Sequence, residues 1–526
     1  MPTGGGKSLC YQLPAAITPG KTVIVISPLI ALMQDQVAQL DQMGIPAALL
    51  NSSVAQAKQS KIMRGAIEGN YRLLYLSPER IARVDSRDWL KRVPISFFAI
   101  DEAHCISEWG HEFRPEYGQL SRLREQFPKQ PIAAFTASAT KQVRHDIIEQ
   151  LRLRDPDKYI ASFHRPNLRY VVHQCDARTQ PALLVKALKS YSGSNVIVYA
   201  PTIKRVEETV DFLSTQGIPS VPYHAKMGTA SRRKNQERWM SDEVRVLVGT
   251  IAFGLGINKA AVRAVIHLSL PKSIEQFYQE AGRAGRDGEP ADCILLWQKR
   301  DAGLIAYFIG EITAPEESAR AWERYHQVRR FVESNECRHR QICSHFGEEP
   351  KWKSCDACDA CGYLPAWVPK TVVAQSPKPS KSATVTAAAP IQRSSPYAPE
   401  PAKRPQQPAL RVVTREPLSV TAGRPAHLQP DKSAAKPPDP ELREYMREWR
   451  RSAAKEKDVP AFVVLHDTSL DELCRIHPKT LQELRRVHGF GEHKTEIYGP
   501  GILEALARFR NGARVQQASI AKSARA

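Results

Sequence analysis

The chain has 526 residues, 42% hydrophobic and 25% charged, the proportions of a soluble globular protein long enough for several domains and more than one core. Lys and Arg number 75 against 55 Asp and Glu, and the resulting net charge of +20 favours a polyanionic partner, nucleic acid first. No apolar run approaches the ~20 residues of a membrane span, Met1-Pro2-Thr3-Gly4 lacks the regions of a signal peptide, and the ten cysteines, four of them between Cys337 and Cys361, suit a reducing compartment; a secreted disulfide scaffold, an integral membrane protein and a wholly disordered chain are disfavoured.

The first element is a phosphate-loop pattern. In Thr3-Gly4-Gly5-Gly6-Lys7-Ser8 the glycines let backbone N–H groups close around phosphate oxygens. Lys7 reaches the β/γ-phosphates and Ser8 offers its hydroxyl to Mg²⁺, with a helix starting at Ser8 adding its positive end. Met1 stands where the full pattern has Gly, so a plain flexible turn is the rival reading. Short β-branched runs alternate with helix-length segments through residues 1–361, as in Thr22–Ile26, Ser96–Ile100, Val196–Tyr199 and Val244–Val248, which predicts parallel strands with crossover helices. The run Ile95–Ile100 ends in Asp101-Glu102-Ala103-His104. A carboxylate at the end of a parallel strand is where such an ATPase holds its metal, so Asp101 is read as the Mg²⁺ ligand and Glu102 as the group that activates water. Taken alone, the four residues could be a solvated acidic loop.

The loop Cys105–Tyr117 follows directly. Its Trp109 and Phe113 can stack on unpaired bases and Arg114 can meet phosphate or an aromatic face, against the reading of Trp109 and Phe113 as ordinary core. Further on, Gln279-Glu280-Ala281-Gly282-Arg283-Ala284-Gly285-Arg286 sets two arginines three apart, expected on one helical face. Their guanidinium groups suit charge growing on a γ-phosphate; a basic helix facing nucleic acid is the alternative. Cys337, Cys355, Cys358 and Cys361 have the spacing of a closed structural Zn²⁺ site, with Cys337 expected from a preceding helix and Cys343 as the one rival ligand. The stretch 363–440, rich in Pro, Ala, Ser and Thr and more basic than acidic, reads as a disordered linker. Helical periodicity returns after Glu441, and Lys494, in the turn Gly489–Lys494, is a candidate phosphate contact.

In this order the segments resemble the RecQ-family DNA helicases of helicase superfamily 2. MPTGGGKSLCYQLPA (1–15), SPLIALMQDQV (27–37), YLSPER (75–80), DEAH (101–104) and FTASAT (135–140) are similar to motifs I, Ia, Ib, II and III. VIVYA (196–200), GTIAFGLGINKAAVRAVIH (249–267) and QEAGRAGRDG (279–288) resemble motifs IV, V and VI, and CISEWGHEFRPEY (105–117) resembles the aromatic-rich loop that couples DNA binding to ATP hydrolysis. The cysteine spacing is similar to the family's zinc-binding subdomain, and 441–510 to an HRDC (helicase and RNase D C-terminal) domain.

The resemblance implies an α/β protein. It has two tandem RecA-like parallel-sheet domains (1–160 and 161–305), a small helical zinc-binding subdomain (306–362), the linker (363–440), an all-α HRDC-like domain (441–512) and a tail (513–526). It implies a DNA-stimulated ATPase that moves 3′-to-5′ along single-stranded DNA and separates duplexes in recombination and repair. ATP, Mg²⁺ and Zn²⁺ are the implied cofactors, single-stranded and partly duplex DNA the partners, and the bacterial cytoplasm with its nucleoid the location. His104 and Gln279 join Lys7, Asp101, Glu102, Arg283 and Arg286 as implied catalytic residues. Two departures stand out. The chain starts inside motif I, without the family's preceding adenine-recognition motif and strand, so a start site further upstream is expected. The linker also replaces the family's winged-helix domain. An ATPase-deficient DNA-binding protein is the alternative function; an RNA helicase is disfavoured by the aromatic loop and the zinc spacing.

Overall fold

The computed structural model describes residues 4–51, 54–110, 112–250, 259–368, 439–456 and 461–514. Thr3, most of the expected linker and tail, and 251–258 of the motif V-like segment lie outside them.

Two parallel sheets form the body of the molecule. The first contains β1 (Thr22–Ile26), β2 (Ala47–Leu50), β3 (Leu73–Leu76), β4 (Ile95–Ile100) and β5 (Ile132–Ala134) in the order β2-β3-β1-β4-β5. The second contains β6 (Leu168–Gln174), β7 (Asn195–Tyr199), β8 (Ser220–Tyr223), β9 (Val246–Gly249), β10 (Val262–His267) and β11 (Ala291–Trp297) in the order β6-β11-β10-β7-β9-β8. β1, β3, β7, β9 and β11 are buried along their whole length. Helices cover both faces of such a sheet, so its strands are continuous apolar runs, not alternating ones. The five-stranded sheet packs Ile24, Ile26, Leu74, Phe98 and Ile100 into one core and Val23, Val25, Tyr75 and Ala99 into another, on its opposite face.

The same topology gathers the chemistry. Ligands of open parallel sheets bind outside the carboxyl ends of the strands, and Asp101 is the first residue beyond β4. The Asp101 N–H donates to the carbonyl of Ile26, the last residue of β1 (2.8 Å).

The helices Lys299–Gly310, Pro315–Glu333 and Arg338–His345 follow β11. Phe331, on the second of them, and Phe346, just beyond the third, join the core of the six-stranded sheet. The short stretch around Cys358 is tied to that sheet, because the Tyr170 N–H in β6 donates to the carbonyl of Ala357 (3.0 Å).

The C-terminal helices Pro440–Glu456, Ala461–Val464, Asp467–Ile476, Leu481–Leu484 and Glu492–Arg510 close around Leu442, Met446, Leu470, Leu473, Ile502 and Leu506. This bundle meets the six-stranded domain through buried ions. Arg447 lies 2.9 Å from Asp242, Lys259 lies 2.7 Å from Asp242 and 3.9 Å from Asp467, and Arg450 lies 2.7 Å from Asp467.

Candidate functional site

The helix Leu9–Ile17 begins beyond Ser8, and the glycines before it take the backbone that a phosphate cradle needs. Gly4 and Gly6 have φ of 79° and 74°, a region open to glycine at no steric cost. The Ser8 hydroxyl accepts from Gln36 Nε2 (3.1 Å), whose Oε1 in turn accepts from the Tyr11 hydroxyl (3.0 Å). Lys7 Nζ lies 3.8 Å from Glu102 Oε1, so the phosphate-loop lysine and the second carboxylate face one another.

Asp101 is almost fully buried. Burial, and then the neighbouring Glu102 charge, raise its pKa to about 7, against the pull of Lys7. Its Oδ1 accepts from the Glu102 N–H (3.0 Å). Glu102 itself sits at φ 45°, where a non-glycine residue is strained, and such strain clusters at functional sites.

His104 is buried behind these two, with Nδ1 3.0 Å from Thr136 Oγ1 and 3.3 Å from Glu102 Oε2. Thr136 Oγ1 accepts from the Ser138 N–H (3.3 Å), and the Ser138 hydroxyl accepts from Gln279 Nε2 (2.7 Å). A polar chain therefore runs from Glu102 through His104, Thr136 and Ser138 to Gln279, crossing from the five-stranded domain to the six-stranded one.

Of the two arginines, Arg286 reaches the same place from the far side. A Cβ added to Gly4 would meet Arg286 Cγ at 3.6 Å, so Arg286 packs directly on the phosphate loop. They do not share a helical face as expected: the helix Ile274–Ala281 stops short of both, and Gly285 (φ 54°) turns the chain in a way a helix cannot follow. Arg165 fixes that turn by donating to the carbonyls of Gly282 (2.9 Å), Ala284 (3.1 Å) and Gly285 (2.7 Å). Burial and the adjoining guanidinium groups of Arg283 and Arg165 lower the Arg286 pKa. Arg283 Nε is buried without an acceptor. Crowded cations with an unmet donor are what an incoming polyphosphate would satisfy.

Trp109 and Phe113 are 44% and 42% exposed, which removes the reading of them as core. Arg114 is half-buried, and its N–H donates to the Cys105 carbonyl (2.9 Å). Tyr117, at the end of the loop, is fully buried. Lys494 lies in the first turn of the helix Glu492–Arg510, half-buried and 5.5 Å from the Phe490 ring, and burial lowers its pKa to about 8.

The sulfurs of Cys337, Cys355, Cys358 and Cys361 lie within 4.8 Å of one another. Cys358 Sγ accepts from the Arg338 N–H and Cys355 Sγ from the Ala357 N–H (both 3.4 Å), bonds that favour thiolates. A four-thiolate set of this kind fits a structural Zn²⁺, which would hold the loop and leave no open position for catalysis. Cys337 stands at the start of the helix Arg338–His345 rather than inside a preceding helix, and Cys343, buried on that helix, falls outside the cluster. Arg165, Thr136 and Tyr117 were not read from the sequence as site residues. Arg165 and Thr136 lie in the segments 163–170 and 135–140, whose spacing gives no sign of what they contact.

Four family descriptions match the chain: DEAD/DEAH box helicase over 1–146, helicase conserved C-terminal domain over 179–288, RecQ zinc-binding over 299–362 and HRDC domain over 439–506. Among curated proteins, the ATP-dependent DNA helicase RecQ of Pasteurella multocida is 34% identical across 97% of this chain and 88% of its own length. The protein of that name from Bacillus subtilis is 33% identical, over 97% and 93%. That from Haemophilus influenzae is 43% identical, over 69% of this chain and 58% of its own.

Proposed function

The chain belongs to the RecQ family of DNA helicases, and from that premise we propose that it hydrolyses ATP between its two sheet domains to move 3′-to-5′ along single-stranded DNA and open duplexes, in recombination and repair. The observation that carries this reading is the approach of Gln279 and Arg286, from the six-stranded domain, to Ser138 and Gly4 of the other. Side chains of both domains thereby face one nucleotide site, so that binding and release of ATP can open and close the cleft.

The roles follow from position. Gly4, Gly5 and Gly6 present backbone N–H groups to the phosphates and Lys7 neutralises the β/γ-oxygens. Ser8 and Asp101 would hold Mg²⁺, which supplies charge neutralisation on the phosphates. Glu102 orients and deprotonates the attacking water, with His104 and Gln279 fixing its carboxylate through the polar chain. Arg283 and Arg286 meet the charge that develops on the transferred group. Trp109 and Phe113 stack on unpaired bases, while Arg114 and Lys494 meet phosphates.

The test is ATP hydrolysis by the 526-residue chain with and without single-stranded oligonucleotide, together with unwinding of duplexes carrying a 3′ or a 5′ tail. Stimulation by DNA and a preference for the 3′ tail are expected. No stimulation, with DNA binding that survives Lys7→Ala, would replace this reading with a DNA-binding protein without ATPase activity. Tighter binding to RNA than to DNA in competition would replace the substrate.

A further inference from the structure

Among the described residues, a second cluster of side chains of the metal-ligating kinds lies beside the nucleotide site, apart from the four-cysteine cluster. A ring nitrogen of His104, the Cys105 sulfur and a carboxylate oxygen of Glu112 lie within 4.8 Å of one another. His104 and Cys105 are buried and Glu112 is half-buried. His104 Nε2 is 3.8 Å from Cys105 Sγ. Zn–N and Zn–S bonds at a tetrahedral angle set those two atoms about 3.6 Å apart, so the pair is already close to ligating geometry. Glu112 needs only a small movement of its loop to join them.

The surroundings of His104 add a second reason. Its Nδ1 faces Glu102 Oε2 at 3.3 Å and Thr136 Oγ1 at 3.0 Å. A proton held on Nδ1 toward a carboxylate leaves Nε2, on the Cys105 side, as the nitrogen a metal can take by displacing the proton there. This is the carboxylate–histidine–metal arrangement in which an outer carboxylate fixes the tautomer and strengthens the ligand. Nitrogen, sulfur and oxygen donors with one position left for water suit Zn²⁺ or Co²⁺ far better than Mg²⁺.

We propose that His104, Cys105 and Glu112 form an inhibitory site for a thiophilic divalent cation, Zn²⁺ in the first place. Glu112 stands between Trp109 and Phe113, whereas His104 belongs to the polar chain that reaches Gln279. A metal joining them pins the aromatic loop to the histidine that positions Glu102. Bound DNA can then no longer move the loop relative to the nucleotide site, and hydrolysis loses its response to DNA. This consequence rests on the ATPase reading above; metal binding itself does not.

The experiment uses the full chain with its four-cysteine cluster loaded. Zn²⁺ or Co²⁺ is titrated into wild type, Cys105→Ala and Glu112→Gln, and bound metal, thiolate-to-cobalt absorption and DNA-stimulated ATP hydrolysis are measured. Wild type should take up a further equivalent with an added thiolate–cobalt band and lose stimulation in step with it. Each variant should weaken that uptake by about tenfold or more, keep the first equivalent and resist inhibition. Absence of the further equivalent in wild type, or unchanged uptake in both variants, overturns the site. Uptake that leaves stimulation intact overturns the inhibition. A protein without any ATPase activity would sink the functional reading, and the uptake and cobalt arms would still decide the site. Glu112→Gln keeps the test standing if Cys105→Ala does not fold.

Discussion

The hydroxyl of Tyr117 donates a 2.9 Å hydrogen bond to the main-chain carbonyl of Asp101. The residue that closes the aromatic loop is thus bonded to the residue that opens the acidic one. On the proposed reading, a strand stacked on Trp109 and Phe113 has a route of one buried side chain to the nucleotide site. Tyr117→Phe keeps the ring and leaves a buried carbonyl short of its donor, at a cost of about 1 kcal/mol in stability. The ratio of DNA-stimulated to unstimulated ATP hydrolysis should fall further than the unstimulated rate itself. A ratio equal to that of wild type, measured on folded protein, would remove Tyr117 from the coupling path.

Arg320 holds the other side of the same loop. Its guanidinium lies 3.1 Å from Glu108 and 5.8 Å from the centroid of the Trp109 ring. Glu108 is exposed, so the ion pair is weak, and the cation–π contact is the part that a base stacked on Trp109, as proposed, would have to displace. Arg320→Ala should free Trp109 and tighten binding of a single-stranded oligonucleotide about two- to fivefold. Weaker binding in fluorescence anisotropy would show that Arg320 grips DNA instead.

Zinc and folding of the 337–361 region should be lost together. Cys355→Ser removes one of four thiolates, and a closed structural site contributes folding free energy directly. The expected result is less than one equivalent of zinc at the cluster, a lower melting temperature and the same effect from a strong chelator on wild type. A full retained equivalent in the mutant would falsify the four-cysteine assignment.

The parts of this molecule legible in its sequence are those written in local pattern. β1 lies where a β-branched run leads to Ser27, because a strand buried on both faces is a continuous apolar run, and β4 lies where the run Ile95–Ile100, buried over its last three residues, leads to Asp101. The glycines ahead of Lys7 and the C-x₂-C steps show themselves in the same way, since backbone freedom and ligand geometry fix their spacing. What stayed hidden depends on tertiary meeting. Nothing near Gln279 announces Ser138, 141 positions away, and nothing near Arg165 announces the turn it clasps. The helical face expected for Arg283 and Arg286 failed for a local reason: the helix ends at Ala281, before both, and Gly285 then takes a left-handed turn between them. Lys259 read as part of a motif V-like run, yet its ammonium is buried between Asp242 and Asp467.

Lys494 gives a prediction in pH. Burial lowers its pKa to about 8, so the folded protein sheds this charge well before a free lysine would. A depressed lysine is a cost to folding below that value, and stability from this group rises as pH climbs from about 8 toward the unfolded value. Its proposed part in DNA binding runs the opposite way. Lys494→Ala should weaken oligonucleotide binding at pH 7 and lower the salt slope by about one, and the gap between mutant and wild type should close by pH 9. A gap that persists at high pH would mean that Lys494 acts through packing alone.

Arg447 and Asp242 carry the last prediction. Both are buried at their 2.9 Å contact, and Asp242 also accepts from Lys259 Nζ and Asn195 Nδ2 (both 2.7 Å). Burial alone would raise the Asp242 pKa; Lys259 and Arg447 outweigh it and hold the carboxyl well below the usual range. A depressed carboxyl stabilises the fold fully above its unfolded value of about 3.9 and loses that contribution as pH falls through the folded value. Arg447→Ala leaves a buried charge short of a partner, at a cost of about 3–5 kcal/mol near pH 7. The deficit should shrink as Asp242 takes up its proton in acid, below about pH 4. Denaturant unfolding of wild type and mutant at neutral and acid pH reads both terms. A deficit under about 1 kcal/mol at pH 7, the range of an exposed pair, would mean that the ion contact does not hold the C-terminal helices to the six-stranded domain in solution.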